Sequence, residues 1–413
     1  MYLCIDLKSF YASVELVERH LDSMTSNLVV ADTSRGRGAL CLAVSPSLKS
    51  IGVRNRCRLF EIPSNIRYLV AKPRMSLYIK YSALIYQIYL RYVSKDDIHP
   101  YSIDEMFLDL GPYKNYYKKD IFAIAQEIIS TIKKETGITA TCGIGTNMYL
   151  AKVALDILAK HAKDYIAYLD EETYLRTLSF HEPLTDFWQI AGGIASRLKK
   201  YKIYNMKGLQ EVDMNILTCE FGINAGILKA HAYGRDETTI KDIKNYKPLS
   251  KSLSLSQILF HDYTFLEARD ILKEMVLTIV LELVKKNLTT SNISLHIAYT
   301  KGTHKSFSKQ QQIFRSASLK EILAAYLNIY DKCVLKEGLI RHIGLSFSRL
   351  ESYELITYNL FSNLDSLKKE HALIKTINDI KNKYGKNSLL QANNLLTHST
   401  QKIRNTLIGG HHA

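Results

Sequence analysis

No uncharged apolar run in the chain approaches the roughly 20 residues that a membrane-spanning helix needs. The N-terminus passes straight into a short strand-like segment, so neither a signal peptide nor a membrane anchor is expected. Cysteines are few and scattered: Cys4, Cys41, Cys57, Cys142, Cys219 and Cys333 include no CxxC pair and no Cys/His cluster at zinc-ligand spacing. A zinc module and a disulfide framework are thereby set aside, and the thiols read as reduced and intracellular, which predicts a cytoplasmic protein. There are only seven prolines, no low-complexity block and no repeat with a period of about 20 to 50 residues, which argues against a disordered or solenoid chain. Acidic residues are also in deficit, 40 against 55 Lys and Arg. The resulting net charge of +15 and pI near 9.3 favour a polyanionic partner, nucleic acid ahead of an anionic membrane.

What is present is enough apolar residue, 46% of the chain, to bury a core in each of several units. Residues 2–6, "YLCID", form a strand ending in an acid, and "SFYASVELVER" follows with helical spacing. Strands are expected at 28–31 and 39–44, and a tyrosine-rich helix at 76–93. An acidic hairpin follows in "DDIHPYSIDEMFLDL", then a helix at 121–135, a strand running into a glycine turn in "ITATCGIGTN", and a further helix in "MYLAKVALDILAK". From about 171 to 240 the pattern is helical. A second mixed region contains a helix at 265–286 and the strands "NISLHIAYT", "HKSFSKQQQI" and "IRHIGLSFSRL". The expected class is α+β and multidomain.

Asp6 at a strand end and Asp104 with Glu105 in a hairpin are the residues that carry chemistry. Hard divalent cations take oxygen ligands, and two such ions about 4 Å apart can both activate a hydroxyl and screen a triphosphate. Spacing alone leaves open whether the two strands are neighbours, and a turn residue with a solvated hairpin tip is the plainer alternative.

The segments "CIDLKSFYASVE" (4–15) and "YSIDEMFLDL" (101–110) resemble the Y-family of translesion DNA polymerases. The similarity is nearest to the Gram-positive UV-damage repair subgroup, which is like the catalytic subunit of DNA polymerase V, and it runs through "KYGKNSLLQANNLL" to "LIGGHHA". The resemblance implies a right-hand architecture: a palm at 1–20 and 75–170, fingers at 21–74, a thumb with a helix-hairpin-helix at 171–240, a little finger at 241–350, and a C-terminal tail at 351–413 that could bind a partner. It implies template-directed synthesis from deoxynucleoside triphosphates on primer-template DNA, across damage, in an SOS-type response. Two Mg2+ ions, or Mn2+ in their place, would be held by Asp6, the Leu7 carbonyl, Asp104 and Glu105. Tyr11 would exclude a 2′-hydroxyl. Lys49 and Lys160, with the Ser9 and Phe10 amides, would take the triphosphate. Pro46 stands where many relatives have a phosphate-contacting tyrosine, and the nearer subgroup often has proline there.

In "DFWQIAGGIASRLKKYKIYNMKGL" the resemblance implies a hairpin whose glycines, Gly192 and Gly193, give backbone amides to DNA phosphates, although Ala191 replaces the usual first glycine. Lys251 belongs to a basic stretch expected along the duplex. The segment Thr357–Phe361 resembles a sliding-clamp peptide through Leu360 and Phe361, with Thr357 in place of glutamine. A clamp and accessory subunits are therefore candidate partners, and the nucleoid is the expected place of action. No proofreading nuclease domain is recognisable. The alternative reading is a non-catalytic DNA-binding repair accessory protein with the same fold.

Overall fold

A computed structural model describes residues 1–248, 251–355 and 363–412. The clamp-like segment Thr357–Phe361 lies outside the described residues. The chain divides into two compact units, the first over Met1–Tyr246 and the second over Lys247–Gly410.

In chain order the strands of the first unit are β1 (Tyr2–Leu7), β2 (Leu28–Ala31), β3 (Cys41–Val44), β4 (Leu69–Ala71), β5 (Ile98–Pro100), β6 (Glu105–Asp109), β7 (Ala140–Gly145) and β8 (Ile166–Leu169). Five of them form one sheet in the order β5-β6-β1-β7-β8, with β1 antiparallel to both neighbours. The two-residue period of β1 sends Leu3, Ile5 and Leu7 into a core shared with the helices Phe10–Val17, Met75–Tyr89 and Ile121–Thr136. Tyr2 and Cys4 point to the other face, where Met148, Ala151 and Leu155 cover them. Asp6 continues that second row at the end of the strand. Both sides of the central strand are thus buried, and its acid comes out at the rim.

A smaller sheet, β3-β2-β4, pairs β2 antiparallel to β3 and parallel to β4. The expected strand at 39–44 starts later, at Cys41, because Ala39 and Leu40 pair instead with the returning segment around Arg58. The short helix Pro46–Ser50 follows β3 and carries Lys49.

The region 171–240 is helical, as its pattern predicts, and the short helix Ile240–Asn245 follows it. Asp170, Asn205, Asp213 and Thr239 each accept an N-terminal amide of the helix they precede. Tyr174, Phe187, Leu198, Met206 and Leu217 share a core with Tyr149 and Leu150 next to the large sheet. Gly192 and Gly193 do not form a left-handed turn: they open the helix Gly192–Lys199, with extended Ala191 before them. Their first-turn amides therefore lack carbonyl partners one turn back.

The second unit contains β9 (Leu253–Tyr263), β10 (Leu288–Tyr299), β11 (Phe307–Ser316) and β12 (Ile340–Ser348), antiparallel in the order β11-β10-β12-β9. Ile293, Leu295, Ile297, Ile343, Leu345 and Phe347 bury one sheet face with the helices Phe265–Lys285 and Leu319–Cys333. Residues 363–410, expected within a C-terminal tail, are folded in the same unit. Its helix Leu364–Tyr384 buries Ile374, and Asn378 donates to the Leu281 carbonyl at 2.9 Å. Beyond it, the buried Glu274 carboxylate accepts from Asn394 at 3.1 Å, from the Thr400 amide at 3.3 Å and from the Ser399 hydroxyl. Among the described residues no helix is long and apolar enough to cross a membrane.

Candidate active site

The register of β1 against β6 places Asp6 directly opposite Glu105, and the Leu7 amide donates to the Asp104 carbonyl at 3.0 Å. The two carboxylate segments, 98 residues apart in sequence, are therefore adjacent strand ends. Asp104 is half-buried in the hairpin tip, where the Ser102 hydroxyl donates to it at 2.6 Å. The Leu7 side chain is buried in the core.

Burial pushes the Asp6 carboxyl up to about 6; Lys160 works against that rise, and the charges of Asp104 and Glu105 add to it. Glu105 does not face Asp6 with a free carboxylate. Lys152 holds it at 2.8 Å, and the Cys4 thiol donates to it at 3.2 Å. Among the described residues no three Asp, Glu, His or Cys side chains are arranged as a ready cage for a metal ion. The donor chemistry would nevertheless suit a hard cation: three carboxylates on adjoining strand ends, one of them held back from ionisation chiefly by burial.

Lys152 and Lys160 come from the segment 148–160, which was expected to be one regular helix. It is α-helical only to Val153 and then has π-helical turns over Ala154–Ala159. Lys152, Asp156 and Lys160 recur every four residues and stay on one side: Asp156 accepts from Lys152 at 3.2 Å and from Lys160 at 2.7 Å, and Lys160 lies 3.7 Å from Asp6. Burial opposes charge on both lysines, but the surrounding acids outweigh it and raise the pKa of each.

This helix can lie so close because of β7. A Cβ on Gly143 would sit 2.1 Å from the Ala151 carbonyl oxygen, and one on Gly145 would sit 2.2 Å from the Ala151 amide nitrogen. The expected glycine turn is thus a strand whose glycines admit a helix backbone.

Ser9 joins β1 to the helix Phe10–Val17 in the left-handed region (φ 49°, ψ 43°), an uncommon conformation for a residue with a side chain. The sharp turn lets a strand that ends in Asp6 and Leu7 enter the helix at Phe10, whose ring is buried. The next residue, Tyr11, stacks on Tyr78 with centroids 4.4 Å apart and planes 14° from parallel. Buried Glu15 fixes that pair, accepting from Arg74 at 2.9 and 2.8 Å and from the Tyr78 hydroxyl at 2.8 Å. Burial alone would raise the Glu15 pKa, but these donors together with Arg19 bring it below the ordinary value.

Lys8, not singled out from sequence, lies with its ammonium 3.9 Å from the centroid of the Tyr165 ring. Withdrawal from water lowers its pKa; Asp6 opposes this, while Lys49 and Lys160 add to it. Lys49 keeps part of its surface exposed, but the protein packed around its ammonium lowers its pKa, and it senses Asp6, Lys160 and Asp104. Three lysines from three elements thus crowd one group of acids. Their positive charge can attract a strongly anionic ligand beside the carboxylate cluster. Lys152, Asp156 and Cys4 were also missed from sequence, although the four-residue spacing in "AKVALDILAK" would have placed Lys152, Asp156 and Lys160 on one face.

Gly192 and Gly193 are exposed in the helical region, and Lys251 is exposed in the second unit just before β9. The two glycines lie on a helix that carries none of the acids or lysines described above.

Two family models match the chain: the impB/mucB/samB family over residues 5–156, and the C-terminal domain of the same family over residues 250–358. The chain is 33% identical to UvrX of Bacillus subtilis (strain 168), named as a UV-damage repair protein, over 99% of this chain and 97% of that one. It is 28% identical to DNA polymerase IV 2 of the same organism, over 99% and 98% of the two chains. Among solved structures, a Y-family DNA polymerase chimera of Dbh and Dpo4 shares the fold, with a TM-score of 0.65 and 18% identity over 86% of this chain and 99% of that one. The chain belongs to the impB/mucB/samB family, the Y-family of DNA polymerases.

Proposed function

We propose that the protein extends a primer on damaged templates by nucleotidyl transfer from a deoxynucleoside triphosphate, with the acids at the ends of β1 and β6 as the catalytic centre. The observation that carries this reading is the strand register that sets Asp6 opposite Glu105, ringed by Lys8, Lys49 and Lys160. Asp6, Asp104, Glu105 and the Leu7 carbonyl would hold two Mg2+ ions, or Mn2+. Bound there, the ions supply a more acidic primer hydroxyl and neutralise phosphate charge.

The chain's own residues do the rest. Lys160 and Lys49, with Lys8 beside them, draw in the triphosphate as point charges, and the first-turn amides at Ser9 and Phe10 supply further donors to it. Tyr11, held flat on Tyr78, presents a rigid ring under the sugar. The amides of Gly192 and Gly193 and the ammonium of Lys251 hold the duplex by its phosphates without reading bases. A sliding clamp engaging Leu360 and Phe361, accessory subunits, and a cytoplasmic, nucleoid-associated setting complete the proposal.

The test is extension of a labelled primer on undamaged and abasic templates with Mg2+ and all four deoxynucleotides, comparing wild type with Asp104→Ala. The expected result is extension by wild type, including past the lesion, and none by the variant, with DNA binding nearly equal. DNA binding without extension by either protein would move the reading to a non-catalytic repair accessory protein.

A further inference from the structure

The small β3-β2-β4 sheet contains two thiols that the polymerase reaction does not use. Cys41 opens β3, and Cys57 lies on the segment that returns along it. The Cys41 amide donates to the Cys57 carbonyl at 2.8 Å, and the Leu59 amide donates to the Ala39 carbonyl at 3.0 Å, bracketing the antiparallel bridge between Leu40 and Arg58. Residues 41 and 57 are therefore cross-strand partners on one face. Antiparallel cross-strand neighbours have Cα atoms about 4.5–5.5 Å apart, inside the range of about 4.4–6.8 Å that a disulfide spans.

Both side chains pack in the same small core with Val29, Val44, Leu48 and Val53, and the two thiols are close enough to interact. Their exposures differ. Cys41 is fully buried, whereas Cys57 is half-buried and lines an open cavity of about 460 Å³ whose walls include Arg54, Arg56 and Glu61.

We propose that Cys41 and Cys57 form a thiol-disulfide site that accepts a small-molecule disulfide, with Cys57 as the entering thiol and Cys41 as the resolving thiol. The exchange starts from the thiolate form of Cys57, whose proton has gone to solvent. Its thiolate attacks one sulfur of the incoming disulfide, forming a mixed disulfide and releasing one small thiolate. Cys41 then attacks the Cys57 sulfur of that mixed disulfide and expels the second small thiol, which takes the Cys41 proton. Two protein thiols are oxidised to one disulfide, and one small disulfide is reduced to two thiols.

Burial, Cys57 and Glu61 together push the Cys41 thiol up to about 12, so it stays protonated and does not compete with Cys57 for the incoming disulfide. The consequence is mechanical. Arg54, Arg56 and Arg58 lie on an exposed loop whose Arg56 has a positive φ of 59°, and the disulfide ties that loop to the strand leading into the Lys49 helix.

The test incubates full-length protein with oxidised glutathione, then maps peptides by mass spectrometry and follows trypsin cleavage after Arg54 and Arg56. A Cys41–Cys57 crosslinked peptide is expected, with loop cleavage slowed several-fold and restored by dithiothreitol. Cys41→Ser should instead stop at the glutathione adduct on Cys57, and Cys57→Ser should leave Cys41 unmodified. Adducts confined to the exposed Cys219 and Cys333, or a wild-type Cys57 adduct that never resolves, would overturn the proposal.

Discussion

Because burial pushes the Asp6 carboxyl up to about 6 while its ordinary value is 3.8, its proton is bound more tightly in the folded protein than in the unfolded chain. The sign of the effect on stability follows by linkage. The contribution is fully present below pH 4 and is lost as pH rises through 6, a loss of about 3 kcal/mol for a shift of roughly two units. Asp6→Asn, which resembles the protonated acid in shape, should therefore stabilise the cation-free protein by up to about 3 kcal/mol at pH 7.5 and hardly at all at pH 4. Urea unfolding in EDTA at the two pH values measures this; an equal midpoint shift at both would contradict the assignment. The same variant should fail to extend primers, since the charge that costs stability is the one a cation needs. Tyr11 offers a second check at this scale. Its ring is held by stacking on Tyr78, so Tyr11→Ala removes the proposed barrier under the sugar and leaves the Glu15–Arg74–Tyr78 contacts in place. Incorporation of ribonucleotides relative to deoxyribonucleotides should rise by at least about tenfold, equivalent to roughly 1.4 kcal/mol of lost discrimination. Single-nucleotide incorporation with unchanged sugar preference would place the gate elsewhere.

At the scale of elements, the helix that carries Lys152 and Lys160 is positioned by what β7 lacks. Side chains at 143 and 145 would meet the backbone of Ala151, and backbone cannot swing aside as a side chain can. Gly143→Ala should cost at least the 1–3 kcal/mol usual for overpacking and shift Lys160 relative to Asp6. Thermal unfolding and the KM for the incoming nucleotide should both register it, and wild-type values of both would deny the close approach. Here the sequence is legible only in part. β1, the acidic hairpin and the helices at 121 and 265 are read within a residue or so, because each shows one clear period with turn residues at its ends. The glycines of "CGIG" read as a turn, since local pattern says nothing of a helix pressing from above. The pairing of Asp6 with Glu105 depends on a 98-residue closure that only the resemblance anticipates, and the grip of Lys152 on Glu105 follows from neither.

For the whole molecule, the excess of 55 basic over 40 acidic residues acts through the proposed phosphate contacts. It does not set the fold: the cores of both units are apolar, and the buried acids Glu15, Glu105 and Glu274 each have named donors. The basic excess is therefore available to DNA. If six to ten phosphates are neutralised, affinity for primer-template should fall by about 10³–10⁵ between 50 and 200 mM salt. Fluorescence anisotropy across that range gives the slope of log K against log salt. Lys251→Ala should weaken binding to all sequences alike and reduce the slope by about one phosphate, because an exposed ammonium contacts backbone rather than bases. Asp104→Ala should leave the slope untouched, since a carboxylate at the hairpin tip neutralises no phosphate. A wild-type slope near zero would mean that the net charge of +15 is spread over surface that never meets DNA, and the nucleic-acid reading of the composition would fail even if the polymerase chemistry stood.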